Sequence, residues 1–387
     1  MAEVNEAVAA KPEIELQPAI QPPPQHGPGT LACVSWESME DAAQVAAWDA
    51  LAEWAGEPNP FYESWYLLPS LRQLPSQISL LRFEFRGKLA GLLPVVRPNR
   101  YYRYPFPNLA NWLHPNMFSG APLVTQGAEV PFWQALLRWA DENAGAALFL
   151  HLRDLPLDGP LHAALNQLLA SERRYAEVVH REERAMLASD LTPEAYWDAS
   201  LSGKKRKELR RQANRLADEG TVAFTRSTDG EGLEAWCQDF LRLEAAGWKG
   251  QAGSALASSP ATAALFAESL AGAAERGRLE RLTLSLDDRP IAMLASFLTP
   301  PGAFSFKTAF DEGFAKFSPG VLLQRENLAI LSRPEIAWTD SCAAADHPMI
   351  DHIWRERREI GRISIAIGGS ARRFAFRQLL RAETRRK

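Results

Sequence analysis

Lys307 stands in a run that is otherwise apolar, Ala303–Phe310, with Phe304, Phe306 and Phe310 around it. A lysine in such a strand either faces a cleft, where its ammonium meets a phosphate or a reacting group, or takes a solvent-facing place in the alternation. Asp311 follows directly, as a second charged group at the same strand end. Next come Phe317, Ser318, Pro319, Gly320, Val321 and Leu322, which read as a turn opening a helix. The first amides of a helix have no internal partner and the helix dipole adds positive potential there, so such an opening can receive a phosphate. Ser318 is a capping type, Pro319 suits the first turn, Gly320 permits close approach, and Lys316 adds a charge-assisted contact. An ordinary helix cap would use the same residues.

Two further groups of residues suit proton transfer. Glu244 precedes Gly247, Trp248, Lys249 and Gly250, at the end of a helical pattern. A carboxylate there can act as general base for an amine, or orient it, since only a neutral amine attacks an acyl carbon. The alternative is a plain helix C-cap at Gly247 with Trp248 in the core. Asp340 ends a strand pattern and is followed by Ser341, Cys342, Asp346 and His347. Functional groups gather at such strand ends in open α/β sheets, and His347 titrates near neutral pH. Ser341, Cys342 and water are candidate proton donors there, and no tyrosine follows Tyr196. The cysteines and histidines show no metal-ligand spacing, and no metal is expected.

Several elements must position these residues. Alternating or apolar runs predict strands at 31–36, 81–85, 89–96, 117–124, 147–152 and 175–179, with helices at 40–54, after Pro60, at 131–143 and at 160–170. The second half repeats the order: strands at 222–226, 282–286, 291–298, 303–310, 336–340 and 362–367, with helices at 233–246, 261–274, 321–331 and 348–358 and a last basic helix. LRFEFRGKLAGLLPVV (Leu81–Val96) overlays LTLSLDDRPIAMLASF (Leu282–Phe297): both alternate, turn on a charged triplet, then run apolar. This pattern predicts internal duplication. The order is not that of a dinucleotide-binding fold, and neither a GxGxxG nor a P-loop motif is present.

The whole chain has 387 residues, 46% hydrophobic and 23% charged, enough for two sizeable cores. A net charge of -4 gives no general attraction to nucleic acid or anionic membrane. The exception is local: Lys204, Lys205, Arg206, Lys207, Arg210, Arg211 and Arg215 cluster on one predicted helix, as a solvated face or as a contact for phosphate, a tRNA backbone or lipid. Three scattered cysteines suit a reducing compartment. With no basic-then-apolar leader and no apolar run of about 18 residues, a cytoplasmic protein is expected. Residues 1–28 are proline-rich and expected to lack a fold.

The stretches SGKKRKELRRQANRL (Ser202–Leu216), LEAAGWKG (Leu243–Gly250), FKTAFDEGFAKFSPGVLL (Phe306–Leu323) and DSCAAADHPMIDHIW (Asp340–Trp354) resemble the GNAT-like acyltransferases of the CelD or BcsL type, associated with cellulose biosynthesis. NPFYESWYLLPSL (Asn59–Leu71) is a weaker echo in the first half. The resemblance implies an α/β fold of mixed α+β sheet built from two GNAT-like domains in tandem, residues 29–185 and 186–387, as in the Fem-type transferases. It implies acyl-CoA as co-substrate, with the backbone of Phe306 and Thr308 on its pantetheine arm and Lys316, Ser318, Gly320, Val321 and Leu322 around its pyrophosphate. This sequence has Gly320 but not the usual spaced glycines of that motif. Glu244, Lys307, Asp311, Asp340 and His347 would do the chemistry. Trp248, Lys249, Phe61 and Tyr62 would line the acceptor cleft, with the first half as one wall. The implied acceptor is an amine or hydroxyl of a small molecule or saccharide, with polysaccharide-synthesis machinery as partner. The Fem-type donor, aminoacyl-tRNA, and a catalytically silent scaffold are the alternatives.

Overall fold

A computed structural model describes residues 29–74 and 76–384. The proline-rich stretch 1–28 lies outside them. The first half runs β1 (Thr30–Val34), α1 (Ala42–Glu53), α2 (Ser64–Gln73), β2 (Ser79–Phe85), β3 (Lys88–Val96), β4 (Leu109–Asn111), β5 (Leu123–Val124), α3 (Glu129–Asn143), β6 (Phe149–Pro156), α4 (Pro160–Ser171) and β7 (Ala176–Leu187). The second runs α5 (Pro193–Ser200), α6 (Gly203–Glu219), β8 (Val222–Ser227), α7 (Leu233–Ala246), α8 (Trp248–Gln251), α9 (Pro260–Glu275), β9 (Leu279–Leu286), β10 (Arg289–Thr299), β11 (Gly302–Phe310), α10 (Pro319–Asn327), β12 (Trp338–Asp340), β13 (Glu356–Ala366) and α11 (Ser370–Thr384).

The strands form one mixed sheet in the order β1-β2-β3-β4-β6-β13-β7-β12-β11-β10-β9-β8, with β5 on β3. The repeated hairpins, β2–β3 and β9–β10, lie toward opposite ends of it. Its centre is exchanged. β13, last in the chain, lies between β6 and β7 of the first half, and β7 in turn carries β12 of the second. The expected boundary after residue 185 therefore falls inside a strand bonded to second-half strands on both sides. Apolar packing also crosses the halves. α2 and α9 approach so closely that a Cβ on Gly272 would lie 2.8 Å from that of Trp65. The Phe61 ring packs edge-on against Phe297 and Phe304 at 6.4 and 5.7 Å.

Most predicted elements form, and the departures have causes. The helix expected at 348–358 is absent: a 3-10 turn at Ile350–His352 precedes a strand that starts at Glu356. Tertiary partners hold Glu356 and Arg358 in the sheet instead. Tyr196 donates to Glu356 at 2.6 Å, and Arg358 pairs with Glu57 at 2.6 Å and Asp158 at 3.1 Å. The strand expected at 117–124 shortens to Leu123–Val124, and the one expected at 175–179 extends to Leu187 because β13 covers its full length. The helix expected at 321–331 ends at Asn327 and continues as a 3-10 turn, Leu328–Ser332.

The Arg358 clamp joins the last strand to the first half inside the protein. Its guanidinium lies over the Trp338 ring at 4.5 Å. Burial pushes the Glu57 carboxyl up to about 7, with Arg358 opposing the rise. Removing one partner of a buried pair costs about 3–5 kcal/mol. A folded pKa above the unfolded one means that the folded state holds the Glu57 proton more tightly, so the protein is most stable in acid and loses stability as pH rises through 7, where the buried carboxylate ionises and depends on Arg358. Arg358→Met should therefore lower stability in chemical denaturation by a few kcal/mol at pH 8, and by less at pH 5, where Glu57 keeps its proton.

Candidate active site

β11 and β12 part soon after they meet. They pair in parallel only over Gly302–Phe304 and Trp338–Asp340. Beyond Asp340 the chain follows the other neighbour, and Ser341 donates to the Ala185 carbonyl of β7. Residues 305–310 of β11 keep β10 on one side and, among the described residues, have no strand on the other. The direction of their backbone groups follows from register. Asp311 donates to Ile291 of β10 at 2.8 Å, so by antiparallel alternation the N–H and C=O of Thr308 point to the open edge. The Lys249 ammonium meets the Thr308 carbonyl there at 3.3 Å.

Lys307 lies beside this opening, with Nζ 5.3 Å from the centre of the Phe118 ring and 5.7 Å from that of Phe306. Among the described residues no carboxylate forms a salt bridge with it. Burial pushes its pKa down to about 8, helped by the charge of Lys249 and opposed by Glu244 and Cys342. Facing rings attract the cation without neutralising it. His114 shares this space: burial, then the Lys307 charge, push it down to about 3, so it is neutral at physiological pH. Its Nε2 lies 3.1 Å from the Ser70 hydroxyl, and its ring stacks parallel to Tyr66.

The other wall is polar and buried. Asp340 accepts from the Cys342 amide at 2.7 Å and lies 3.5 Å from Arg184. Arg184 also donates to the Phe118 carbonyl at 2.5 Å, tying the first-half loop to β7. Cys342 turns at φ +52, and burial, with Asp340 beside it, pushes its thiol well up. His347 accepts from the amides of Met349 and Ile350 at Nδ1, so its neutral ring carries the proton on Nε2. Burial pushes its pKa down, and the Lys249 charge adds to this.

The structure thus gathers Glu244, Lys249, Phe306, Lys307, Thr308, Asp340 and His347 around one opening. Glu244 is fully engaged, with one oxygen on Lys249 at 2.8 Å and the other on the Leu256 amide at 2.8 Å, so it clamps rather than stands ready as a base. Asp311 caps the 3-10 turn Glu312–Phe317 through the Gly313 amide and pairs with Arg289 at 2.5 Å. Lys316 is exposed and pairs with Glu219 at 3.4 Å.

At the start of α10 the expected cap differs. Ser318 has φ +54, its side chain makes no capping bond, and its carbonyl takes the amides of Val321 and Leu322. The side chains of Val321 and Leu322 pack into two apolar clusters. Gly320 lies under Met349, whose sulfur would be 3.1 Å from an added Cβ. Phe61 and Tyr62 are enclosed rather than on a wall: both are 0% exposed, and the Tyr62 hydroxyl donates to the Trp112 carbonyl at 2.8 Å. Trp248, offered to the core by the simple helix-cap reading, is instead 57% exposed. His114, Phe118 and Arg184 escaped the sequence reading. Phe118 falls in the strand expected at 117–124, and no local pattern marks His114 or Arg184.

Among the described residues no group of three or more His, Cys, Asp and Glu could hold a metal, and no helix is long and apolar enough to cross a membrane. No curated protein sequence matches the chain. Solved structures share its fold at low identity. FemX aligns with a TM-score of 0.54 and 11% identity, covering 84% of this chain and 96% of its own. A protein of unknown function from Bacteroides thetaiotaomicron aligns at 0.55 and 12%, covering 83% and 97%. L-PGS from Bacillus licheniformis aligns at 0.51 and 11%, covering 85% and 93%. The opening between β11 and β12 lies within residues 203–347, and those residues match the family described as Acetyltransferase (GNAT) domain.

Proposed function

We propose that this opening transfers an acyl group from acyl-CoA to an amine or hydroxyl acceptor. The observation that carries the reading is the unpaired edge of β11 with the unneutralised Lys307 ammonium beside it. An exposed strand edge pairs readily with another extended chain of amides, which the pantetheine arm supplies. CoA brings an activated thioester. The protein aligns the acceptor and supplies charge where the carbonyl oxygen becomes negative. A bond forms from the acceptor nitrogen or oxygen to the acyl carbon, and the carbon–sulfur bond breaks. The thiolate leaves, and the proton that the acceptor nitrogen or oxygen loses balances the one the thiolate takes up. Lys307 serves as the cation for the carbonyl oxygen. The Nε2–H of His347 is available as a hydrogen-bond donor on the Asp340 side. Sugar-containing or envelope precursors handled with polysaccharide-synthesis machinery are the acceptors that the sequence resemblance suggests, in the cytoplasm.

The second reading, an aminoacyl-tRNA donor, is favoured by one feature: Lys204, Lys205, Lys207, Arg210 and Arg215 are exposed along α6. Phosphate contacts of that kind weaken steeply with salt. Acetyl-CoA near saturation should raise stability by about 3 kcal/mol at a hundredfold excess over Kd in a thermal-shift assay. No shift with any acyl-CoA, together with salt-sensitive, RNase-sensitive activity, would move the donor to tRNA.

Lys307→Met separates chemistry from folding. Losing a positioned donor to a developing oxyanion costs about a hundredfold or more in kcat, and the wild-type kcat should fall as pH rises through 8. Stability moves the other way. The folded pKa lies below the unfolded 10.5, so the unfolded chain holds this proton more tightly and wild-type stability rises from pH 8 to 10.5. The variant should be up to about 3 kcal/mol more stable than wild type at pH 7, and that gain should vanish by pH 10.5. A variant with full kcat would remove Lys307 from the chemistry.

A further inference from the structure

We infer that the carrier groove is covered by two of the protein's own segments, residues 248–255 and the turn around Met349, which a bound carrier displaces. The inference rests on the carrier reading above and adds its regulation. The first cover lies at the strand edge. Thr308 turns its carbonyl to the open side of β11, and Lys249 Nζ already takes it at 3.3 Å. An incoming amide must compete for that acceptor. The second cover lies at the helix opening. Gly320 would let a phosphate approach the first turn of α10, and the Met349 sulfur fills that space.

The first cover is built to move. α8 is four residues long and buries none of them. The Lys249 carbonyl closes a tight turn by accepting from the Ser254 and Ala255 amides. A Cβ on Gly250 would lie 1.8 Å from the Ala245 carbonyl oxygen, so only glycine fits that approach. What fixes the turn to the groove is polar: Lys249 on Glu244 and Thr308, and the Trp248 amide on Glu312 at 2.7 Å. A segment with few buried apolar contacts opens at low free-energy cost. A covered groove lowers apparent affinity by the fraction of time it is open.

The test titrates CoA into the full chain and follows binding by calorimetry and amide hydrogen exchange over residues 248–255. Wild type should lose protection there when CoA binds. Lys249→Met and Met349→Ala should each bind CoA about tenfold more tightly. Because Lys249→Met leaves buried Glu244 without its cation, Lys249→Met with Glu244→Gln serves as the folded control, and Met349→Ala leaves that pair intact. CoA binding with unchanged protection at 248–255 and equal affinity in the variants overturns the covers and leaves the carrier reading standing. No CoA binding to wild type or to any uncovered variant overturns both.

Discussion

The pairing of β7 with β13 is the constraint on which the rest of the molecule hangs. These are the two longest neighbours in the sheet centre, bonded from Ala176–Ile365 to Met186–Glu356. Each belongs to one half by sequence and completes the sheet of the other. Neither half can close its β-layer without a strand from its counterpart, so the halves form one structure despite their duplicated hairpins. The buried Arg358 pair with Glu57 locks this exchange in register. A one-residue slip would turn Ile360 and Arg358 to the wrong faces.

The opening follows from the same constraint. β12 is held to β7 through Thr339 and Asp340, and the chain keeps to β7 as far as Ser341. β11 is held to β10 along its whole length. Two strands anchored to diverging neighbours must separate, and the unpaired edge of β11 is the result. Backbone groups left without a ladder need partners. One of them is met here by a lysine side chain, which shows how strongly the edge attracts a donor.

The electrostatic character of the opening is set from both halves. Rings from the first half, Phe118 and Tyr66, enclose Lys307 and His114 and strip them of water. One stays cationic with a weakened hold on its proton, and the other is neutral. Arg184 on β7 joins Asp340 to the Phe118 carbonyl, so the first-half loop, the exchanged strand and the second-half strand end meet at one buried charge. The first half shapes this site by packing rather than by presenting Phe61 or Tyr62 to a ligand.

The sequence by itself determined the local grammar: the two hairpins, the helices that flank them, the apolar strand interrupted by Lys307, and the turn at Ser318–Gly320. Those features depend on periodicity and on residue types whose preferences act over a few positions. Tertiary structure alone decided which strand lies beside which. Glu356–Arg358 looked helical until buried partners more than 150 residues away fixed them in a strand. It also decided which charged groups are spent and which remain. Glu244 and Asp311 are consumed by neighbouring amides and cations, whereas among the described residues Lys307 has no salt bridge. Burial, and the long-range contacts that create it, are invisible in residue order, because they depend on which distant side chains close over a site.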